Sequence, residues 1–142
     1  MAKYIYSKIQ PGKLLHVINK KEDIIGKRQD LIPREHFLQM ASFKLNKGKK
    51  FNPHKHLVQK NDFDERLAQE SWICINGSFK AILFDLDDTL LTEEILKSGD
   101  CSITLYGGHT YECLEDNTLI IETKTGPYES AERDKVFLNE KR

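Results

Sequence analysis

The stretch GKKFNPHKH, Gly48–His56, ends in two histidines that are two positions apart. Successive side chains of a β-strand point to opposite faces, so a strand here would place His54 and His56 on the same face. Two imidazoles in that position can bind one divalent metal ion. An isolated H-x-H pair also occurs on surfaces and in cores that bind nothing, so the metal interpretation depends on ligands from elsewhere in the chain.

The residues around this stretch resemble the first motif of the cupin superfamily, which is G-x5-H-x-H, a short gap and then E-x6-G. Every position of the motif has its counterpart in this chain: Gly48, His54, His56, Glu70 and Gly77. The difference is the gap, because the segment Leu57–Gln69 is longer than the three or four residues that are usual in the family. A longer hairpin loop would absorb it, since added loop length has a small entropic cost.

A second cupin motif begins with glycine, runs through a strand and ends in G-x2-H. Gly99, Gly107 and His109 resemble it, although the ending is one residue short and Leu105 stands where a proline is usual. The resemblance extends over residues 37–125. The segments GGHTYECLEDNT (107–118) and ETKTGPY (122–128) are also similar to small WbuC-like cupins of cell-surface polysaccharide gene clusters.

The resemblance implies an all-β double-stranded β-helix, the cupin jelly-roll barrel, with a pocket at its centre. It divides a single domain, 1–142, into an N-terminal arm (1–36), a barrel core (37–128) and a C-terminal tail (129–142). It also implies one divalent transition metal, held by His54, His56, Glu70 and His109. Iron, manganese, zinc and nickel all accept three imidazoles and a carboxylate, so the ion's identity stays open.

The strand pattern read from the residues agrees with an all-β fold. Short apolar or alternating segments separated by turn residues predict strands at 14–18, 37–45, 72–75, 79–84, 90–96, 102–106, 110–114 and 119–125. Asn76-Gly77 lies between two apolar runs and predicts a tight hairpin with a type I′ turn. If Glu70 points inward, the alternation predicts that Trp72 and Cys74 do so too.

A competing motif lies in AILFDLDDTLL (81–91), which resembles the nucleophile motif of haloacid dehalogenase-type phosphatases, with Asp85 and Asp87 as its carboxylates. That fold needs parallel βαβ units of about 30 residues each. The chain after Asp85 shows no amphipathic helix long enough for a crossover. We therefore expect a β-hairpin in which Asp85–Thr89 form the turn, since aspartates are common turn residues.

Composition narrows the class of protein. The 142 residues contain 22 lysines and arginines and 22 aspartates and glutamates, and this zero net charge argues against nucleic acid as a partner. Three cysteines without a C-x-x-C pattern favour free thiols in a reducing cytoplasm. No apolar run approaches membrane-spanning length, so no membrane association is expected.

Six further residues are candidates for the pocket and its rim. Three are polar and three aromatic: Arg66, Gln69, Lys124, Trp72, Tyr106 and Tyr111. The polar ones could meet a phosphate or sugar hydroxyls, and the aromatic ones could form the walls. Each also has a structural interpretation, because charged residues are commonly solvated and aromatic strand residues commonly pack in the core.

Three functions are compatible with these residues. The first is a metal-dependent cupin enzyme for a small polar ligand such as a sugar or nucleotide sugar. The second is a metal-independent sugar isomerase or epimerase, in which a histidine or tyrosine moves the proton. The third is a non-catalytic sugar- or metal-sensing module. A homodimer is also expected, since Leu14–Ile18 is too apolar to stay exposed and should join a sheet edge of its own barrel or of a partner.

Overall fold

Two five-stranded antiparallel sheets form the barrel in the computed structural model, which describes residues 1–61, 64–127 and 129–138. The strands are β1 Lys3–Tyr6, β2 Leu14–Ile18, β3 Gln29–Asp30, β4 Leu38–Leu45, β5 His54–His56, β6 Val58–Asn61, β7 Asp64–Leu67, β8 Glu70–Asn76, β9 Ser78–Phe84, β10 Leu90–Lys97, β11 Cys101–Thr104, β12 Gly108–Cys113, β13 Thr118–Thr125 and β14 Lys135–Phe137. A 3₁₀ turn at Lys21–Asp23 and a short helix α1, Ala131–Asp134, complete the described elements. None of the described helices is long and apolar enough to cross a membrane.

One sheet has the order β10-β9-β12-β5-β14 and the other β11-β8-β13-β4-β3. Two small hairpins, β1-β2 and β6-β7, lie outside these sheets. The all-β jelly-roll prediction is confirmed. Segments assigned above to the arm and the tail also contribute edge strands, because β3 pairs with β4 and β14 pairs with β5.

The core between the sheets follows the alternation expected for half-buried strands. Along β8, the side chains of Glu70, Trp72 and Cys74 are buried and those between them are less so, which confirms the predicted inward face. The Trp72 ring stacks on Tyr111, with ring centroids 4.1 Å apart. The Phe43 ring also stacks on Trp72, with centroids 5.1 Å apart. This aromatic stack belongs to the buried core between the sheets.

The Asn76-Gly77 hairpin prediction is wrong. β8 and β9 belong to different sheets and do not pair, so this turn carries the chain across the barrel. A type I′ turn needs positive φ at both central residues, whereas here only Gly77 has it, at 82°. The corner is tight, because a Cβ on Gly77 would lie 2.5 Å from the Thr118 Oγ1 atom.

The hairpin that does form joins β9 to β10 through the acidic stretch, as predicted. The Asp85 amide donates to the Thr89 carbonyl at 2.8 Å, and the Asp87 carboxylate accepts a hydrogen bond from the Thr89 hydroxyl at 2.7 Å. All strand pairs in the described segments are antiparallel. The aspartates therefore stabilise a turn, and the parallel sheet of a phosphatase is absent from these segments.

The N-terminal strand Leu14–Ile18 pairs with Lys3–Tyr6 and with neither barrel sheet. The expectation that it covers an edge of its own barrel is therefore wrong. Leu15 and Ile18 remain substantially exposed. Pairing with a partner's edge, the other alternative, stays a prediction.

Candidate metal centre

The four predicted ligands converge from both sheets. His54 and His56 lie on β5, and His109 lies directly opposite His54 on the neighbouring strand β12. Glu70 reaches them from β8 in the facing sheet. One ligand atom from each residue lies within 4.8 Å of the others, and none of the four residues is more than 9 % exposed. The cluster could hold a metal ion.

The long gap in the first motif is absorbed by the β6–β7 hairpin. Val58 pairs with Leu67 and Gln59 with Arg66, which brings the two ends of the inserted segment together. Glu70 therefore begins β8 close to His56 despite the insertion, as the small entropic cost of a longer loop allows. Residues 62 and 63 at the hairpin tip lie outside the described residues.

The hydrogen bonding of His54 fits metal ligation. The Asn52 carbonyl accepts a hydrogen bond from His54 Nδ1 at 3.0 Å, which places the proton on that nitrogen. Nε2 then carries a lone pair, and it is buried without a hydrogen-bond partner. A backbone carbonyl that fixes the tautomer in this way is typical of metal-binding histidines.

Glu70 lies between the other two histidines. Its Oε2 is 3.3 Å from His56 Nε2, and its Oε1 is 3.3 Å from His109 Nε2. Neither contact has hydrogen-bond geometry, so both ring nitrogens are left buried and unsatisfied. Such groups are costly to leave unpaired. A cation in their midst would satisfy all of these atoms together, so the residues present fit a divalent metal.

Trp72 fixes the orientation of the carboxylate. Its indole Nε1 donates to Glu70 Oε1 at 2.7 Å. The indole is held by its stacking on Tyr111, whose hydroxyl is 2.9 Å from Ser102 Oγ. A carboxylate held this way is positioned before any ion arrives.

Asp134 is a site residue that the sequence did not reveal. Its Oδ2 lies 3.4 Å from His56 Nδ1 and 3.0 Å from Lys124 Nζ. A carboxylate behind a metal-binding imidazole orients the ring and raises its basicity. Asp134 belongs to α1 in the segment interpreted as a tail, and it matches no motif position, so no sequence signal pointed to it.

The surroundings of His54 and His56 shift the pKa values of these two histidines in opposite directions. Burial lowers the pKa of His54 to about 4, and the neighbouring His109 adds to this shift. Burial also opposes protonation of His56, but Asp134 and Glu70 outweigh it and raise the pKa of His56 to about 9. Burial would raise the pKa of Glu70, yet His109 and His56 bring it well below its usual range. Without metal, His56 is therefore protonated at neutral pH beside an ionised Glu70.

Metal uptake should accordingly release a proton from His56. At pH 7, binding of Zn²⁺ should release about one proton per ion. The apparent affinity should climb about tenfold per pH unit between pH 6.5 and 9 and then level off, because the competing proton is lost through the raised pKa. Calorimetry in buffers of different ionisation enthalpy measures both quantities. Asp134→Asn should flatten the profile by lowering the pKa of His56, and a flat wild-type profile over this range would contradict the arrangement.

A cavity of about 230 Å³ opens beside His54 and Glu70. Three of the predicted pocket residues line it, Trp72, Tyr111 and Lys124. Arg66 and Gln69 line a separate pocket, together with Gln59 of β6. The Tyr106 side chain is 71 % exposed and lines none of the described pockets.

The cavity also has charged walls that sequence reasoning missed. Arg28 donates to Glu122 Oε1 at 3.0 Å and to Asp30 Oδ1 at 2.8 Å, and its guanidinium lies over the Phe43 ring. Burial and the charge of Glu70 raise the pKa of Glu122, which Arg28 partly offsets. Lys135 of β14 lines the cavity as well. Arg28 and Lys135 belong to the segments interpreted as arm and tail, outside the motif region.

No family model matches this chain, and no curated protein sequence does. Solved structures do match. KdgF from Halomonas sp. aligns over 72 % of this chain and 79 % of its own, with 18 % identity and a TM-score of 0.55. The capsular polysaccharide assembling protein CapF from Staphylococcus aureus aligns over 80 % of this chain, with 16 % identity and a TM-score of 0.64. Oxalate decarboxylase from Bacillus subtilis aligns over 78 %, with 17 % identity and a TM-score of 0.59.

The chain spans about a third of the length of CapF and of oxalate decarboxylase, at 32 % and 28 %. At these identities the similarity establishes the fold alone. The two antiparallel sheets and the structural matches define the cupin fold, and the His54, His56, Glu70 and His109 cluster is a possible metal site within it.

Proposed function

We propose that this chain is a metal-dependent cupin-fold enzyme for a small hydroxylated ligand, a sugar or nucleotide sugar of cell-surface polysaccharide biosynthesis. The observation that carries the proposal is the buried cluster of three imidazoles and one carboxylate beside an open cavity. A bound divalent ion would act as a Lewis acid on a carbonyl or hydroxyl oxygen. The polysaccharide context draws support from the WbuC-like sequence segments and from the structural similarity to CapF.

Side chains of this chain would position the ligand and the metal-binding histidines and would exclude water from the cavity. Trp72 and Tyr111 form an apolar wall of the cavity, against which a sugar ring can pack. The Asn52 carbonyl holds His54 by a hydrogen bond, and the Asp134 carboxylate lies 3.4 Å behind His56. Glu122 and Lys124 line the cavity and offer an acceptor and a donor for hydroxyl groups.

A metal-independent isomerase or epimerase is the second candidate. The contacts of His56 with Asp134 and Glu70 favour it, because two carboxylates beside a protonated imidazole suit a general acid. Chelator separates the two: activity that survives full metal removal supports acid–base chemistry alone.

The proposed setting is the cytoplasm, supported by three free cysteines. The proposed assembly is a homodimer, supported by the exposed apolar side chains of β2.

A thermal-shift screen of metal-loaded protein tests the ligand class. Nucleotide sugars and sugar acids should raise the melting temperature, since a ligand present at about 100 times its Kd stabilises the native state by about 2.7 kcal/mol. Amino acids and fatty acids should not. The shift should require metal and should shrink in His109→Ala. If amino acids shift the transition and sugars do not, the sugar assignment is wrong, although the metal site would stand.

A further inference from the structure

Lys135 lies on the strand next to the one that carries two of the candidate metal ligands, His54 and His56. It begins β14 and lies directly opposite His56 in the antiparallel register with β5. Residues directly opposite one another on such strands project to the same face. The side chain is half-buried and lines the cavity that also exposes His54 and Glu70.

The charges around Lys135 are already engaged with each other. Arg28 is paired with Asp30 and Glu122, and Lys124 with Asp134. Within the described residues, Lys135 makes neither an ion pair nor a side-chain hydrogen bond. A half-buried ammonium without a counter-ion favours binding of an anion from solution. A divalent ion at the cluster would add positive charge to the same cavity.

We propose that Lys135 is a specificity-determining residue that binds an oxyanion, a carboxylate or a phosphate, of the ligand whose other oxygen meets the metal. The inference rests on the proposed metal site. It narrows the ligand class from hydroxylated molecules in general to those that carry an acidic group. It also assigns a role to a strand that lies outside both sequence motifs.

The test uses small ligands that contain no sugar ring. Nickel-loaded protein is titrated with glycolate, glycerol 3-phosphate and glycerol by calorimetry, after its metal content has been measured. Wild-type protein should bind at least one anion about tenfold more tightly than glycerol. Whichever of glycolate and glycerol 3-phosphate binds more tightly shows whether Lys135 prefers a carboxylate or a phosphate. Lys135→Met should abolish the preference at unchanged metal content, and Lys135→Arg should restore most of it.

Lys55→Met is the matched control. Lys55 lies on β5 between the two histidines, but its ammonium bonds to Asp88 on the hairpin turn, so its loss should leave anion binding unchanged. The inference is wrong if wild-type protein shows no preference for either anion, or if the preference survives in Lys135→Met. Metal uptake without anion preference contradicts this inference alone. A wild-type protein that takes up no metal contradicts the proposed function and this inference together.

Discussion

Gly107→Ala should lower the free energy of unfolding by about 3 kcal/mol. Gly107 has φ of 82°, a left-handed conformation that strains any residue with a Cβ. A Cβ there would also lie 2.5 Å from the Phe84 carbonyl oxygen, a backbone atom that cannot move aside without disturbing β9. Because Gly107 precedes β12, which carries His109, metal affinity should fall as well.

Gly48→Ala provides the control. Gly48 has nearly the same φ, 81°, but a Cβ there would meet nothing within 4 Å. This variant should lose about 1 kcal/mol, from backbone strain alone. Urea unfolding followed by Trp72 fluorescence measures both. Equal losses in the two variants would show that the close approach of Gly107 to β9 is not as described.

The motif residues were the part of the site that the sequence could predict. His54 and His56 share a face because of strand alternation, and the resemblance to cupin motifs supplied Glu70 and His109. All four converge, despite the insertion before Glu70, since the β6–β7 hairpin closes on itself. Sequence spacing is sufficient to predict metal ligands when those ligands lie on regular strands.

Pairing between distant strands could not be predicted in the same way. Asn76-Gly77 carried the local signal of a hairpin, but the chain crosses between sheets there. Turn chemistry fixes backbone dihedral angles and does not determine which edge the next strand joins. Here the barrel's tertiary packing outweighs the local preference.

Residues that support the cluster from outside the motifs were also missed. Asp134 and Lys135 lie near His56 only because β14 pairs with β5, and Arg28 reaches Glu122 across 94 positions in the sequence. Such contacts follow from long-range topology, and single charged residues in polar segments carry no periodic signal. The three-dimensional arrangement was needed to find them.

The largest functional effect is expected from the double substitution His54→Ala/His56→Ala. Wild-type protein should carry about one divalent ion per chain, whereas the variant should retain almost none, because two of four ligands and the whole contribution of β5 are removed. Glu70→Gln should weaken binding less severely, since the amide oxygen can still ligate but its charge is lost. The fold should persist in both variants, because the aromatic core does not include these side chains.

The control variant also lacks two histidines, but both lie outside the candidate metal site. His16→Ala/His36→Ala removes the two histidines that lie on β2 and just before β4, away from the cluster. Its metal content should equal that of wild-type protein. Any general effect of removing histidines on metal uptake during purification would appear equally in this variant.

The most direct measurement is the metal content of these three proteins, purified without chelator and quantified by inductively coupled plasma mass spectrometry. The metal site described here predicts about one transition-metal ion per chain in wild-type protein and in His16→Ala/His36→Ala, and almost none in His54→Ala/His56→Ala. Metal retained at the wild-type level in His54→Ala/His56→Ala would contradict it.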